Sequence, residues 1–137
     1  MENKEMILKD LCGRLPYNVK VHAKYIDLEE TIEVDGIVKM IDDDGVVGIE
    51  VISDTSSAWT YVQIDNVKPY LFPLSSMTDE QRKEYEGIIY KNIELHCERY
   101  YDVIDVDDFD CLIDFYHKYH FDYRGLIRLD LAIDATN

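Results

Sequence analysis

Positive charge is scarce in this sequence. Fourteen lysines and arginines stand against 29 aspartates and glutamates, a formal charge of −15 at pH 7. The deficit is even, with 14 acids and seven bases in residues 1–77 and 15 acids and seven bases in residues 78–137. Neutralising a phosphate backbone takes clustered lysine and arginine, so direct nucleic-acid binding is not expected, and anionic membranes are repelled at long range. No apolar run approaches the roughly 18 residues of a membrane span. The opening MENKEMILKD lacks the basic-then-apolar order of a leader, and the expected location is the cytoplasm. Cysteine is also scarce. Cys12, Cys97 and Cys111 form no CxxC pair, and each falls in an apolar pattern, which predicts buried, reduced thiols and no disulfide framework. The six glycines build neither a GxGxxG turn nor a Walker loop, so no cofactor is expected.

What is present argues for folding. Hydrophobic residues make up 47% of the 137, with eleven tyrosines among them, too many for a disordered acidic tail. The length suits a single domain, residues 1–137, in three parts: an N-terminal helix over 1–16, a β meander with a proline-bracketed strap over 17–77, and a helical part with a C-terminal docking segment over 78–137.

In the middle part Val19, Val21, Ala23 and Tyr25 alternate with Lys20, His22 and Lys24, the period of a strand with one buried face. Asp27 to Glu30 is a turn. Ile32 and Val34 continue the alternation to Asp35-Gly36, where the apolar phase slips to Ile37, Val38, Met40 and Ile41 and predicts a bulge or tight turn. Asp44-Gly45 predicts a type I′ hairpin leading into a strand over Val46–Ile52. Asp54–Ser57 is a further turn before a strand over Trp59–Ile64. Four or five short antiparallel strands in this space suit a small SH3-like barrel or a strongly bent sheet. The triple aspartate Asp42-Asp43-Asp44 lacks the glycine and glutamate spacing of a calcium loop. It is a charged hairpin tip, and no metal is assigned.

Pro69 and Pro73 bracket Tyr70-Leu71-Phe72, predicting an extended strap over the sheet edge. Thr78-Asp79-Glu80-Gln81 is a capping box that opens a helix carrying Tyr85, Ile88, Ile89, Ile93, His96, Cys97 and Tyr100 at helical spacing. Tyr101–Val106 links it to a helix over Asp108–Lys118, capped by Asp107, with Phe109, Leu112, Ile113 and Tyr116 on one stripe. Met6, Ile7, Leu8, Leu11 and Cys12 form the first helix, ended by Gly13 and Pro16. The last stretch, Phe121 to Ile133, turns at Gly125 and returns as a short strand or docking segment. The fold class is therefore α+β.

Lys68–Gln81 (KPYLFPLSSMTDEQ) together with His120–Ala135 (HFDYRGLIRLDLAIDA) resembles a family of short proteins from gut bacteria, their prophages and mobile elements, which open with a segment like Leu8–Tyr17. That family has Lys-Gly before Leu-Ala near its end, where this chain has Leu129-Asp130 before Leu131-Ala132. No activity attaches to the family. The resemblance implies a genetic setting and no mechanism.

Two non-catalytic functions lead. An acidic folded surface suits a host protein with a basic surface. Alternatively, Trp59, Tyr61, Tyr70, Tyr119 or Tyr123 stacks on a small nucleotide-like ligand whose phosphate Arg124 or Arg128 holds. His117 and His120, three apart with Asp122 nearby, permit metal ligation in a hydrolase, but a helix end whose histidines and arginine satisfy exposed carbonyls explains them better. Ser75, Ser76 and Cys111 lack the context of a nucleophile, so no catalytic residue is assigned. Exposed aromatics also allow a homodimer.

Overall fold

A computed structural model of the protein describes residues 2–52, 58–97 and 106–136. Helix α1 (Glu2–Arg14) leads into five strands: β1 (Lys20–Asp27), β2 (Glu30–Ile41), β3 (Val46–Val51), β4 (Ala58–Gln63) and β5 (Val67–Leu71). Helices α2 (Asp79–Cys97) and α3 (Val106–Lys118) follow, and β6 (Ile133–Asp134) ends the fold. The sheet order is β4-β3-β2-β1-β5-β6, antiparallel except where β6 runs alongside β5. The α+β class and the helices at both ends are as the sequence predicts. The sheet, however, keeps two ends, β4 and β6, and does not close into a barrel.

The alternation of β1 places Val21 and Ala23 in the core, with Val38 of β2, Val47 and Ile49 of β3 and Val62 of β4. Ile7 and Leu11 of α1 cover this layer. A smaller cluster of Leu71, Leu126 and Ala132 ties β5 to the C-terminal segment.

Four local expectations are corrected. The phase slip at Asp35-Gly36 is not a bulge: β2 runs through it in register, and the register shift falls between Val38 and Met40. Gly36 occupies an inward position where a Cβ would collide with Ile49 Cγ2, so an apolar residue is missing from the stripe because the strands pass too closely there. Asp42–Gly45 is a four-residue loop, with the Asp42 carboxylate accepting from the Asp44 and Val46 amides at 2.9 Å each; there Gly45 alone has positive φ. The proline-bracketed strap is a true strand, β5. Its Pro69 lies opposite Val21, in a pair whose β5 member turns its backbone away from β1, so the missing NH costs no ladder bond. Finally, Cys12 and Cys111 are exposed rather than buried. Cys12 follows Leu11 off the buried face of α1.

The capping box of α2 forms as expected: the Thr78 amide donates to Gln81 Oε1 at 2.9 Å, and the Gln81 amide to Thr78 Oγ1 at 3.1 Å. Helix α3 starts at Val106, so Asp107 lies within it and not before it; its buried aromatic is Phe115, against Tyr85, Tyr119 and Phe121. The expected turn at 54–57 and most of the link between the two helices, 98–105, lie outside the described residues, as do the side chains of Ile93, His96, Cys97, Tyr100 and Phe109.

Candidate functional site

The polar and aromatic residues singled out by the sequence separate into three places. The first is a buried hub where α1 meets the end of α3. Asp10 and Arg14, four residues apart on α1, are both 0% exposed. Arg14 Nε donates to Asp10 Oδ2 at 2.8 Å and Nη2 to Oδ1 at 3.1 Å, while the remaining donors reach the carbonyls of Tyr116 and Phe121. Arg124 Nε adds a second cation 3.3 Å from Asp10. Both guanidiniums lie over the Tyr123 ring, at 5.6 and 5.0 Å, and Tyr123 stacks on Tyr116 at 5.0 Å. The Tyr123 hydroxyl meets His117 Nε2 at 2.8 Å, and His120 Nε2 donates to the Tyr17 carbonyl at 3.0 Å.

This hub finishes a helix. His120 takes φ +57°, its amide bonds to the His117 carbonyl, and the Phe121 amide bonds to the Tyr116 carbonyl, the pair of bonds that closes a helix on a left-handed residue. Burial holds both imidazoles below their usual pKa, helped by Arg14, so both are neutral at pH 7. Asp122 accepts from the Leu126 and Ile127 amides at 2.8 and 2.9 Å. His117, His120 and Asp122 therefore serve three separate structural contacts and do not converge as ligands. Among the described residues, the carboxylates that gather closely enough for a metal are Asp42, Asp43 and Asp44, at an exposed tip. Tyr119 bonds to Glu84 at 2.6 Å and ties α3 to α2, and Arg128 is exposed.

The second place is the outer face of β1, β2 and β5. Register sets His22 opposite both Asp35 and Lys68. His22 Nδ1 meets Asp35 Oδ1 at 2.9 Å and Nε2 meets Glu33 Oε1 at 3.2 Å. The hydrogen bond to Asp35 above all raises the His22 pKa. Tyr70 donates to the same Asp35 oxygen at 2.7 Å, and burial together with that bond pushes its pKa up to about 12. Burial works to raise the Asp35 pKa, but the bonds from Tyr70 and His22 hold it low. Each ring nitrogen of His22 faces a carboxylate oxygen, an arrangement that ties the ring in place and favours its protonated form. A depression of about 430 Å³ beside it is lined by His22, Glu33, Asp65, Lys68 and Ile133.

The third place holds Trp59 and Tyr61. Both lie on β4, which among the described residues pairs only with β3, and are 51% and 60% exposed. Across a groove of about 420 Å³ stands the β1–β2 hairpin, whose tip exposes Ile26 and Leu28 at 77% and 91%. That hairpin turns on Leu28 and Glu29, with φ +50° and +67°. A two-residue turn of this kind favours asparagine and glycine, and a bulky residue there is a backbone cost that the fold retains.

The aromatic set therefore does not share one pocket. Asp10, Arg14, His22 and Asp35 were not singled out by the sequence. The i, i+4 spacing of Asp10 and Arg14 beside Leu11 was a legible signal, whereas His22 and Asp35 meet only through register. No protein-family model matches the chain, and no curated protein or solved structure is significantly similar to it.

Proposed function

We propose that this chain is a non-enzymatic binding module that takes a partner protein with a basic surface around β4 and the β1–β2 hairpin tip. One observation carries the reading: an edge strand, Ala58–Gln63, exposes tryptophan and tyrosine and bears no charge, in a chain of which 31% of residues are charged. Exposed tryptophan and tyrosine on a patch low in charge are the composition of an interface centre. Acids surround it, with Asp27, Glu29 and Glu30 at the hairpin tip and Glu50 opposite Trp59, and would steer a basic partner. The structural duties of His117, His120, Asp122 and His22 support a non-catalytic role.

The connectivity favours an SH3-like reading, since a single 3-10 turn (Ile64–Asn66) separates β4 from β5 and β5 returns to β1; the gap in the barrel then lies beside β4. On the family resemblance, the partner belongs to the host of a phage or mobile element.

The test is capture from an extract of the protein's own cells. The wild type is expected to recover a basic protein at about 50 mM salt and lose it near 500 mM. A Trp59→Ala/Tyr61→Ala variant with an unchanged circular dichroism spectrum should recover none. Equal recovery by the variant overturns the reading.

A further inference from the structure

The two strands that flank the groove leave their backbones unpaired toward it. The Ile64 amide donates to the Gly45 carbonyl at 2.8 Å, and Val46 lies opposite Gln63. This sets Val46 and Gln63 as a non-hydrogen-bonded pair, so Ala58, Thr60 and Val62 bond to β3 while the NH and CO of Trp59, Tyr61 and Gln63 point to the open side. In β1 the Val38 amide donates to the Val19 carbonyl at 3.1 Å, with Lys20 opposite Ile37. Val21, Ala23, Tyr25 and Asp27 then bond to β2. His22 turns to β5, and Lys24 and Ile26, beyond the last β5 pair at Ala23, turn outward. Lys24, Ile26, Tyr61 and Gln63 line the same 420 Å³ groove, with Tyr25 and Val62 between them. Among the described residues no backbone hydrogen bond engages these outward groups.

Edges of natural sheets are ordinarily guarded by lysine, proline or a covering segment. The β4 sequence, Ala-Trp-Thr-Tyr-Val-Gln, carries neither lysine nor proline. We propose that the groove takes an extended, lysine- or arginine-bearing segment of the partner, which adds as a strand beside β4 and fills the sheet toward β1. This rests on the binding reading above. Charge selects the occupant: Asp27, Glu29 and Glu30, at the hairpin tip between the groove residues Ile26 and Thr31, and Asp65, next to the groove residue Asn66, stand exposed with no cation paired to them among the described residues, while Lys24 is neutralised by Glu33 at 3.4 Å. A second copy would bring the same acidic rim against itself. Because strand side chains alternate, the segment offers apolar residues to Tyr25 and Val62 and basic ones to the rim.

The probe is a capped heptapeptide alternating valine and lysine. It is expected to bind at low salt and to slow amide exchange at Lys24, Ile26, Trp59, Tyr61 and Gln63 by about tenfold or more, leaving Ala58, Thr60 and Val62, already bonded, unchanged. N-methylation of alternate peptide residues, which keeps every charge, should abolish binding. Gln63 has φ −66°, so Gln63→Pro fits its backbone and removes one outward donor; affinity should fall about fivefold, while Gln63→Ala binds as wild type. The proposal is overturned by no binding at millimolar peptide, by equal binding of the methylated peptide, or by binding that leaves the alternate amides unprotected. It is equally overturned if those amides are protected without peptide in a species of twice 16.1 kDa, which would give the edge to a second copy. If the strand model alone fails, the Trp59→Ala/Tyr61→Ala variant still loses the captured protein; if the wider reading fails, that loss disappears too.

Discussion

Asp130 takes φ +60° in the turn before β6, where the Leu131 amide reaches back to the Leu126 carbonyl at 2.9 Å. Glycine is the residue that such a backbone favours. A left-handed backbone costs a non-glycine residue about 1–2 kcal/mol, and glycine gives back about 0.5–1 kcal/mol through its freer unfolded chain. Asp130→Gly also loses an ion pair with Lys68, but Asp130 is 92% exposed and such pairs contribute little. The variant should gain about 0.5–1 kcal/mol, read as a raised urea midpoint. A second residue-scale prediction concerns the histidines. His117 and His120 have folded pKa values lowered by burial, so below about pH 6.5 the unfolded chain binds protons that the fold refuses, and stability falls on acidification. His22, with its raised value, acts oppositely: its contribution is full below about pH 6.5 and is lost as pH rises through the folded value. Two buried imidazoles outweigh one at the surface, so the urea midpoint should drop between pH 7.5 and 5.5. Proton NMR should find His117 and His120 titrating below the ordinary imidazole range and His22 above it; reversed positions would overturn this account.

Two helical glycines separate propensity from packing at the scale of elements. A Cβ on Gly13 of α1 would sit 2.5 Å from His117 Cε1, and His117 is buried and held by Tyr123. A Cβ on Gly87 of α2 would meet nothing within 4 Å. Alanine improves helix propensity at either place by up to about 1 kcal/mol, whereas overpacking a filled site costs about 1–3 kcal/mol. Gly87→Ala should therefore raise the melting temperature and Gly13→Ala should lower it. The same contrast explains what the sequence could reveal. Signals confined to a few residues were legible: the capping box at Thr78, the alternation of β1, the turn at Asp27–Glu30. Gly36 misled because its reason lies on β3, and Pro69 misled because its harmlessness depends on which way β5 faces. The hub does close a helix, but the sequence reading gave the exposed carbonyls to the neighbouring histidines and arginine, whereas Arg14 of α1 meets the Tyr116 and Phe121 carbonyls and Arg124 turns to Asp10; that arrangement depends on α1 packing against the end of α3. The open edge of β4 was invisible for a similar reason, since strand order follows from long-range pairing.

At the scale of the molecule, the −15 charge works against the fold and, on the proposed binding reading, for the partner. Self-repulsion among exposed acids destabilises a compact state, and screening relieves it. Salt also weakens the surface ion pairs, such as Lys24 with Glu33 and Lys118 with Glu84, but exposed pairs contribute little. The enclosed Asp10–Arg14 pair is largely shielded from ions. The balance favours a fold that strengthens as salt is added, with a melting temperature several degrees higher near 300 mM than near 10 mM, since about 1 kcal/mol corresponds to roughly 3–6 °C at this chain length. Affinity for the valine-lysine peptide should move the other way over the same range. A fold weakened by salt would mean that the surface pairs, and not the net charge, govern stability. An affinity that ignores salt would mean that the acidic rim plays no part in choosing the strand.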